Sequence, residues 1–432
     1  MHLPYFMLKL SVCGGCLVSV QVIEPLFLFS LIWSAGVTCD NDGRAKFDAF
    51  IRDTIADLHM EKPPPDELDV FGYYFDQKSL DWIDWMQTVP KYVCNPEKPF
   101  SELIVPTGDS VRSKFILQSL IEIGKHVLCV GETGTGKTLV VQDKLLNDMD
   151  QSYVPIFINF SARTSANQTQ DLIDSKTEKR RKGVFGPPPT KKYVIFVDDL
   201  NMPQREKYFA QPPIEILRQW MDHNGWYERK PPCAFRTLVD IQFVGCMGPP
   251  GGGRNIVTNR FLRHFNFLSF NEMSDDSLFL IFNTILQATL NAKFSPSIRD
   301  VGKNIVLGTI EIYNSIKKEL LPTPSKSHYT FNLRDMSKVI QGVLRADPNH
   351  TQSINSIVSL WLHEGMRVFQ VCHVSSFVCT MQYFCNYRRY YSLIILKLNI
   401  DKVLKLKHIG GLRLRIDYLN LHVSSRSLMD YL

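Results

Sequence analysis

Short apolar segments alternate with longer mixed segments from position 126 onwards. The apolar segments are rich in β-branched and aromatic residues, which is typical of buried strands. They are His126–Val130, Val154–Asn159, Tyr193–Val197, Ile241–Gly245 and Phe265–Phe270. Strands that alternate with helical or loop segments form parallel sheets covered on both faces. The pattern therefore predicts an α/β domain with a five-stranded parallel sheet.

Helical periodicity dominates on both sides of this region. Beyond Asp275 the strand signal fades and three helices are predicted. They are Ser277–Leu290, Ser297–Leu320 and Leu333–Leu344. Upstream, a helix is predicted from Arg44 to His59, and Asp81–Gln87 is predicted to be helical, with Trp82 and Trp85 on one buried face. A helical domain should thus follow the sheet domain.

The N-terminal part contains two uncharged apolar runs, Leu10–Ile23 and Pro25–Cys39, separated by Glu24. Each run is shorter than the ~18–20 apolar residues that span a bilayer. Lys9 before an apolar run also fits a signal peptide, with Ser34–Gly36 as a cleavage site. We favour a buried segment or a poorly folding start, because the phosphate-binding motif described below indicates a cytosolic protein.

Composition and charge exclude several classes. At ~150 residues per domain, 432 residues allow about three domains. With 44% apolar and 21% charged residues the chain is globular rather than disordered. The net charge of +6 lies entirely in residues 371–432, which have nine basic and three acidic residues. Residues 1–370 therefore have no net charge, which argues against a general nucleic-acid-binding protein.

Cysteines and basic runs give weaker signals. The ten cysteines are scattered, and Cys129 and Cys246 fall in predicted strands, which favours a reducing, intracellular compartment. Cys13 and Cys16 form a CxxC pair, but a zinc site would need a second pair, so chance spacing is the better interpretation. The basic run Lys176–Lys182 is interpreted as a solvated loop, with a nuclear-localisation or nucleic-acid patch as the alternative.

The clearest chemical signal is a GxxxxGK[ST] motif between the first predicted strand and a helix continuing from Leu139 to Asn147. Its residues are Gly131, Glu132, Thr133, Gly134, Thr135, Gly136, Lys137 and Thr138. Glycines let the backbone curl so that its N–H groups surround a phosphate at a helix N-terminus. Lys137 is predicted to reach the β- and γ-phosphates, and Thr138 to coordinate Mg²⁺.

Two acids follow the third predicted strand. We expect Asp198 to hold Mg²⁺ through water, because it ends a strand beside the phosphate loop. Asp199 stands where hydrolysing proteins of this architecture often carry Glu and is assigned to the attacking water. Its carboxylate should lie roughly 1 Å short, and such a displacement can lower a rate ~10²-fold. The alternative for Asp199 is a helix N-cap.

These elements, in this order, resemble the AAA+ ATPases, and longer motifs resemble the dynein heavy chains. The motifs are Asp198–Pro203, Gln211–Trp220, Met247–Asn255, Asn259–Phe265, Lys326–Asp335 and Leu360–Glu364. Together they are similar to the third of the six AAA+ modules of an axonemal, inner-arm type heavy chain. Phe29–Ser34 and Asp42–Phe47 resemble the segment that leads out of the second module. The resemblance covers about residues 25–370.

The resemblance implies a division of the chain into five parts. They are a divergent N-terminal segment (1–24), a helical inter-module segment (25–100), an AAA+ α/β nucleotide-binding subdomain (101–273), a helical lid subdomain (274–370) and a divergent basic tail (371–432). The abrupt change after Gln370 suggests a truncated or alternatively spliced product or a gene-model artefact. Without a stalk or five further modules, the chain alone should not move on microtubules.

The resemblance also implies roles for individual residues. Val105, Pro106 and Thr107 correspond to the stretch that lies against the adenine. Arg260 and Arg263 occupy the positions of arginine fingers, which act on the nucleotide of the neighbouring module; a salt bridge within the domain is the alternative for either. Arg334 corresponds to the lid arginine that contacts the γ-phosphate of its own module.

The implied function is ATP or ADP binding with Mg²⁺, contributing to microtubule-based motility of cilia. Because Met247-Gly248 replaces a polar sensor and Asp199 replaces Glu, we expect slow hydrolysis at a regulatory site. The implied partners are neighbouring AAA+ modules and, through the full-length protein, intermediate and light chains and microtubules. Neither nucleic acid nor a membrane is expected as a partner, and the implied location is the cytoplasm, the cytoskeleton and the ciliary axoneme.

Two other functions stay open. In a structural or interaction fragment, the nucleotide would only stabilise the fold. A DNA-remodelling AAA+ protein is disfavoured because residues 1–370 have no net charge. Salt-dependent retention on DNA would support that function.

Overall fold

The computed structural model describes residues 20–89, 92–321 and 329–369. The predictions for Cys13 and Cys16, for most of Leu10–Ile23 and for the tail 371–432 lie outside these residues. The chain divides into two compact units, Met1–Ile285 with Asn332–Arg334, and Leu286–Phe331 with Asp335–Leu432. Each unit is described by itself.

The helices and strands follow in chain order. The helices are α1 (Val20–Ser34), α2 (Asn41–Leu58), α3 (Gly108–Glu122), α4 (Lys137–Asn147), α5 (Ala166–Lys176), α6 (Pro212–His223), α7 (Asn259–Leu262), α8 (Asp275–Lys293), α9 (Pro296–Glu319), α10 (Leu333–Leu344) and α11 (Ile354–Phe369). The strands are β1 (Tyr73–Asp76), β2 (Asp81–Asp84), β3 (His126–Gly131), β4 (Tyr153–Asn159), β5 (Glu178–Arg181), β6 (Val184–Gly186), β7 (Lys192–Asp198), β8 (Gly225–Tyr227), β9 (Phe235–Leu238), β10 (Ile241–Met247) and β11 (Phe265–Phe270).

A five-stranded parallel sheet with the order β11-β3-β10-β7-β4 forms the centre of the first unit. These are the five strands predicted from the apolar runs, so the predicted α/β architecture is confirmed. Successive residues of one strand join different cores: Val194 and Phe196 pack into one hydrophobic cluster, Ile195 and Val197 into another. Because both faces are buried, the inner strands β3, β7 and β10 are apolar at most positions rather than at every second one.

The hydrophobic cluster that contains Val194 and Phe196 also includes residues of α1. This helix contains most of the uncharged run Pro25–Cys39. Leu26, Phe29 and Ile32 are each at most 1% exposed. The ring of Phe29 lies 6.3 Å from that of Trp85, at a tilted angle. The run is therefore part of the core, as the buried-segment interpretation expects.

The prediction of a helix over Asp81–Gln87 is wrong. The segment forms β2, which pairs antiparallel with β1, followed by the 3₁₀ helix Trp85–Thr88. Both tryptophans are nevertheless buried, and each indole N–H donates to a backbone carbonyl, Trp82 to Lys62 (3.1 Å) and Trp85 to Phe71 (2.9 Å). Segment 25–100, expected to be helical, thus also contains a β-hairpin.

A second sheet in the first unit, with the order β5-β6-β9-β8, was not predicted. Its strands have three or four residues and lack a regular apolar pattern. The basic run Lys176–Lys182 was interpreted as a solvated loop; it is solvated, but it contains the exposed edge strand β5 rather than a loop. Such short strands are held by backbone pairing and cross-strand contacts, for example Arg236 over the ring of Phe185 at 4.3 Å.

The second unit is helical, and the three predicted helices are present as α8, α9 and α10. Helix α8 begins in the first unit and ends in the second, and α10 begins within Asn332–Arg334. In the core of the second unit, the indole of Trp361 in α11 donates a hydrogen bond of 2.9 Å to Thr309 Oγ1 in α9. Within residues 20–89, 92–321 and 329–369, no helix combines the length and apolar character that crossing a bilayer requires.

The first residue of β3, His126, makes the stability of the fold dependent on pH. Burial, together with the charges of His264 and Lys125, lowers the pKa of His126 from 6.5 to about 4. Its Nδ1 accepts a hydrogen bond of 3.1 Å from the backbone N–H of Phe243, which requires the unprotonated nitrogen. Between about pH 6.5 and 4, this histidine is therefore protonated in the unfolded chain but neutral in the folded chain. The free energy of unfolding consequently decreases as the pH drops through this range.

We expect this group to remove up to about 3 kcal/mol of unfolding free energy over that pH range, since each pKa unit corresponds to about 1.4 kcal/mol. His126→Asn should flatten the dependence, because its side-chain oxygen can accept the same hydrogen bond without titrating in this range. The measurement is urea unfolding between pH 7.5 and 4.5. His350→Asn, at a side chain that is 86% exposed, is the control and should keep the wild-type slope. An unchanged slope in His126→Asn would contradict the prediction.

Candidate nucleotide-binding site

The GxxxxGK[ST] motif forms the connection from β3 to α4, as its spacing predicts. Gly134 and Gly136 have positive φ angles of 88° and 80°, which glycine adopts without strain. Gly131 has no room for a side chain, because an added Cβ would lie 2.2 Å from the carbonyl oxygen of Phe270 in the neighbouring strand. The glycines are thus required by backbone geometry. The loop ends at the N-terminus of α4, where N–H groups without helical partners favour an anion.

Lys137 is the first residue of α4 and is 9% exposed. Its ammonium donates to the carbonyl oxygens of Gly131 (2.8 Å) and Glu132, so it lies inside the curve of the loop. Burial is the largest effect on the pKa of Lys137 and lowers it, whereas the charge of Asp198 raises it. A buried cation surrounded by backbone groups fits a phosphate, whose negative charge would offset the desolvation of the ammonium.

The remaining loop residues have different environments. Thr135 is buried and its hydroxyl donates to the carbonyl of Glu132 at 3.0 Å. Thr138 lies half-buried in the first turn of α4, while Glu132 and Thr133 are exposed. The position of Thr138 in the helix beside Lys137 suits a hydroxyl ligand of a phosphate-bound Mg²⁺.

The sheet order brings the two acids to the same edge as the loop. β10 lies between β3 and β7, so the carboxyl ends of β3 and β7 are separated by one strand. Asp198 ends β7, and its Oδ1 accepts a hydrogen bond of 2.9 Å from the backbone N–H of Asp199. Across the part of the chain that the structure describes, no three His, Cys, Asp or Glu side chains form a metal-binding group. A Mg²⁺ ion in this site would be held by Thr138, Asp198, phosphate and water.

The N-cap interpretation of Asp199 is wrong. The residues after it form a turn, and the next helix, α6, begins only at Pro212, with Gln211 as its N-cap. Asp199 itself has a left-handed backbone, with φ of 49°. Its half-exposed carboxylate forms an ion pair of 3.4 Å with Arg254. Arg254 falls within the motif Met247–Asn255, but the sequence predicts no role for it. The one sequence feature that points to it is its place in a glycine-rich loop after a strand.

The predicted adenine stretch leads into α3. Val105 and Thr107 are buried, at 7% and 1% exposure, and Pro106 is half-buried. Thr107 caps α3: its hydroxyl accepts from the N–H of Ser110, and the Ser110 hydroxyl accepts from the N–H of Thr107. A cleft is lined both by the start of α3 and by Thr135 of the phosphate loop. The helix that this stretch leads into therefore lies beside the phosphate loop.

The two candidate arginine fingers differ. Arg263 donates to Asp222 at 2.6 Å within the same unit, which is the salt bridge named as the alternative. This bond is the largest cause that lowers the pKa of Asp222. Arg260 is exposed, and no hydrogen bond or ion pair joins its side chain to the described part of the chain. Of the two, Arg260 is the better candidate for contact with another module.

Arg334 lies in the short segment Asn332–Arg334, which belongs to the same unit as the phosphate loop. An added Cβ at Gly134 would lie 2.9 Å from Cβ of Asn332, so this segment packs directly on the loop. Asn332 Oδ1 accepts a hydrogen bond of 2.9 Å from the backbone N–H of Arg334, whose side chain is exposed. The structure therefore places Arg334 two residues from a contact with the loop.

Replacing Gly131 by alanine should disturb the fold and the loop together. Its Cβ would meet the Phe270 carbonyl of the paired strand β11, so the two strands must separate, and we expect a loss of about 1–3 kcal/mol of unfolding free energy. Gly108→Ala is the matched control, because an added Cβ there has no atom within 4 Å and lies in the first turn of a helix. Urea unfolding of both variants measures the difference. Equal stabilities would show that the close approach is not a constraint.

Three family models match the chain. A model described as the P-loop containing dynein motor region matches residues 92–273, and it includes the phosphate loop and both acids. A dynein heavy chain AAA lid domain matches residues 18–87, and a dynein heavy chain ATPase lid domain matches residues 283–372.

Curated relatives agree with these models. Dynein axonemal heavy chain 1 of Homo sapiens is 48% identical over an alignment of 378 residues that covers 81% of this chain and 9% of that protein. Dynein axonemal heavy chain 12 of Mus musculus is 46% identical over 361 residues, 80% of this chain and 12% of that protein. Dynein axonemal heavy chain 3 of Homo sapiens is 45% identical over 365 residues, 80% of this chain and 9% of that protein. The chain thus spans about a tenth of the length of these relatives, and it belongs to the dynein heavy chain family as part of the motor region.

Proposed function

We propose that this chain is an ATP-binding AAA+ module of a dynein heavy chain and that it holds ATP or ADP with Mg²⁺ in the loop Gly131–Thr138. The observation that carries the proposal is the buried ammonium of Lys137 inside this loop, at the junction of a central parallel strand and a helix. Backbone N–H groups, the helix N-terminus and the ammonium together match a triphosphate.

Three side chains complete the nucleotide site in this proposal. Lys137 contacts the β- and γ-phosphates, Thr138 coordinates Mg²⁺, and Asp198 holds the same ion through water. The buried stretch from Val105 to Thr107 contacts the adenine. Bound Mg²⁺ would neutralise charge on the phosphates.

Hydrolysis at this site should be slow, which fits a regulatory site rather than the main motor site. Asp199 is one methylene shorter than Glu, and its carboxylate is directed to Arg254. Met247 ends β10 where a polar side chain would orient water, and Gly248 follows it. Two groups that act on the attacking water are thus weakened or missing in this proposal.

We further propose that the chain corresponds to the third AAA+ module of an axonemal heavy chain and acts with neighbouring modules. Arg260 would reach the nucleotide of a neighbouring module, and Arg334 would contact the γ-phosphate of its own. The full-length protein would bind microtubules and intermediate and light chains, and it would work in the cytoplasm and the ciliary axoneme. The relatives' names, which refer to axonemal heavy chains, support this location and role.

The second candidate is a structural or interaction module in which nucleotide only stabilises the fold. The pairing of Asp199 with Arg254 favours it, since a carboxylate held by an arginine is not free to orient an attacking water. Both candidates predict nucleotide binding, because a ligand that binds only the folded state always adds stability. They differ in turnover: stimulation by a neighbouring module supports the ATPase, and its absence supports the structural module.

Lys137→Ala should weaken MgATP binding roughly 100-fold, because hydrogen bonds to charged groups contribute about 1.5–3 kcal/mol each. Isothermal titration calorimetry on the full chain measures this. Lys125→Ala removes the same charge from an exposed residue just before β3 and should leave the affinity unchanged. If neither wild type nor Lys137→Ala gives a heat of association, the proposed function fails.

Single-turnover hydrolysis by the wild-type chain should be slower than ~1 s⁻¹, the lower end of common enzyme rates. Asp199→Glu lengthens the side chain by one methylene and should raise the rate by up to ~10²-fold with little change in nucleotide affinity. Asp199→Asn is the companion variant and should lower the rate further. A fast wild-type rate would contradict the assignment to a slow, regulatory site.

A further inference from the structure

The loop after β10, Gly248–Asn255, is fixed by its own hydrogen bonds. Gly251 and Arg254 exchange two backbone hydrogen bonds, of 3.1 and 3.0 Å. The amide of Asn201 donates to the carbonyl of Gly248 at 2.8 Å, and the N–H of Asn255 donates to the carbonyl of Asn201 at 3.0 Å. The loop is thus tied to the residues that follow β7, and the position of Arg254 is set by two neighbouring strands of the sheet.

The guanidinium of Arg254 lies over Gly248. An added Cβ at Gly248 would lie 2.7 Å from Nε and 2.9 Å from Cδ of Arg254, so the missing side chain makes room for the arginine. The side chain of Arg254 is 21% exposed, and it reaches Asp199 in a long ion pair of 3.4 Å. Its Nε is buried and has no hydrogen-bond partner among the described residues. A guanidinium has five N–H donors, so the pair with Asp199 leaves most of its donor capacity for another acceptor.

Arg254 lies at the same edge of the sheet as the phosphate loop and Lys137. It follows β10, the strand between β3 and β7, and its ion pair with Asp199 holds its side chain at that edge. Two partly buried cations near each other at one edge of a sheet repel, and an anion between them would offset that repulsion. Asp198 and Asp199 balance the two formal charges, but neither accepts a hydrogen bond from the buried Nε of Arg254. A phosphate beyond those of ADP could accept from Nε.

We propose that Arg254 donates hydrogen bonds to the terminal phosphate of ATP held by the loop Gly131–Thr138, and so distinguishes ATP from ADP. The inference rests on the proposed nucleotide site. With ADP the guanidinium keeps its ion pair with Asp199, and with ATP it gains acceptors on the third phosphate. Gly248 has a part in this arrangement, since any side chain there would displace the arginine.

The test is calorimetric titration of the full chain with two probes, MgADP and the Mg²⁺ complex of the non-hydrolysable β,γ-imido analogue of ATP. Arg254→Ala should weaken binding of the triphosphate analogue about 10–100-fold, the effect of one or two hydrogen bonds to a charged group, while MgADP affinity stays within about twofold. Arg254→Lys keeps the charge but lacks the planar guanidinium, so its affinity for the triphosphate analogue should lie between those of the wild type and Arg254→Ala. Gly248→Ala displaces the guanidinium and should act in the same direction.

Arg205→Ala is the matched control. Arg205 also has a buried Nε without a partner among the described residues, and it donates to the carbonyl of Ile256 just beyond the same loop. Its removal should leave the ratio of the two affinities unchanged. A similar drop in Arg205→Ala would show a general charge effect and overturn the inference.

The outcomes separate the two proposals. If the wild type binds neither probe, the nucleotide site itself fails. If the wild type binds both and Arg254→Ala changes both affinities equally or neither, the nucleotide site stands and the role of Arg254 is refuted. If Arg254→Ala does not fold, as judged by thermal unfolding, Arg254→Lys and Gly248→Ala decide by the same affinity ratio.

Discussion

The parallel pairing of β10 with β3 on one side and β7 on the other is the constraint on which the candidate site depends. In a parallel sheet all strands end at the same edge, so the loops after these three strands must meet there. The phosphate loop, the two acids and Arg254 all lie at the ends of these strands or in the loops that follow them. Residues on both faces of the central strands pack into hydrophobic clusters, so the points at which these loops begin are held in place.

Polar contacts among the loops then orient the side chains. Asn201 and Asn255 join the loops after β7 and β10, because the side-chain amide of each donates a hydrogen bond to a backbone carbonyl of the other loop. The motifs Asp198–Pro203 and Met247–Asn255 thus pack together and hold each other in position at this edge of the sheet. This explains why both contain small or amide residues beside charged ones: Gly248 makes room, the asparagines join the loops, and Asp199 and Arg254 carry the charge.

The fold and site differ in how far local patterns predict them. Strands buried on both faces and long helices have strong apolar patterns, so the five central strands and the helices α8, α9 and α10 were predicted close to their bounds, whereas α11 was not predicted. The hairpin β1–β2 was missed because the spacing of its apolar residues resembles that of a helix. The small sheet β5-β6-β9-β8 was missed because its strands are short and some of them pair with strands distant in the sequence. Trp82 and Trp85 are spaced like residues on one helical face, yet Trp82 is buried in a strand and Trp85 in a 3₁₀ helix. A helical spacing over so few residues does not fix the secondary structure, because tertiary contacts decide it.

From the sequence alone one can derive the phosphate loop, its glycines and lysine, and the order of strands and helices along the chain, because these depend on contacts between residues close in sequence. Strand order in space, the pairing of Arg263 with Asp222 and that of Arg254 with Asp199 were decided only by the tertiary structure. The partners in each pair are more than 40 residues apart. No local pattern specifies which of several arginines meets which carboxylate, since that choice follows from how the whole sheet brings its loops together.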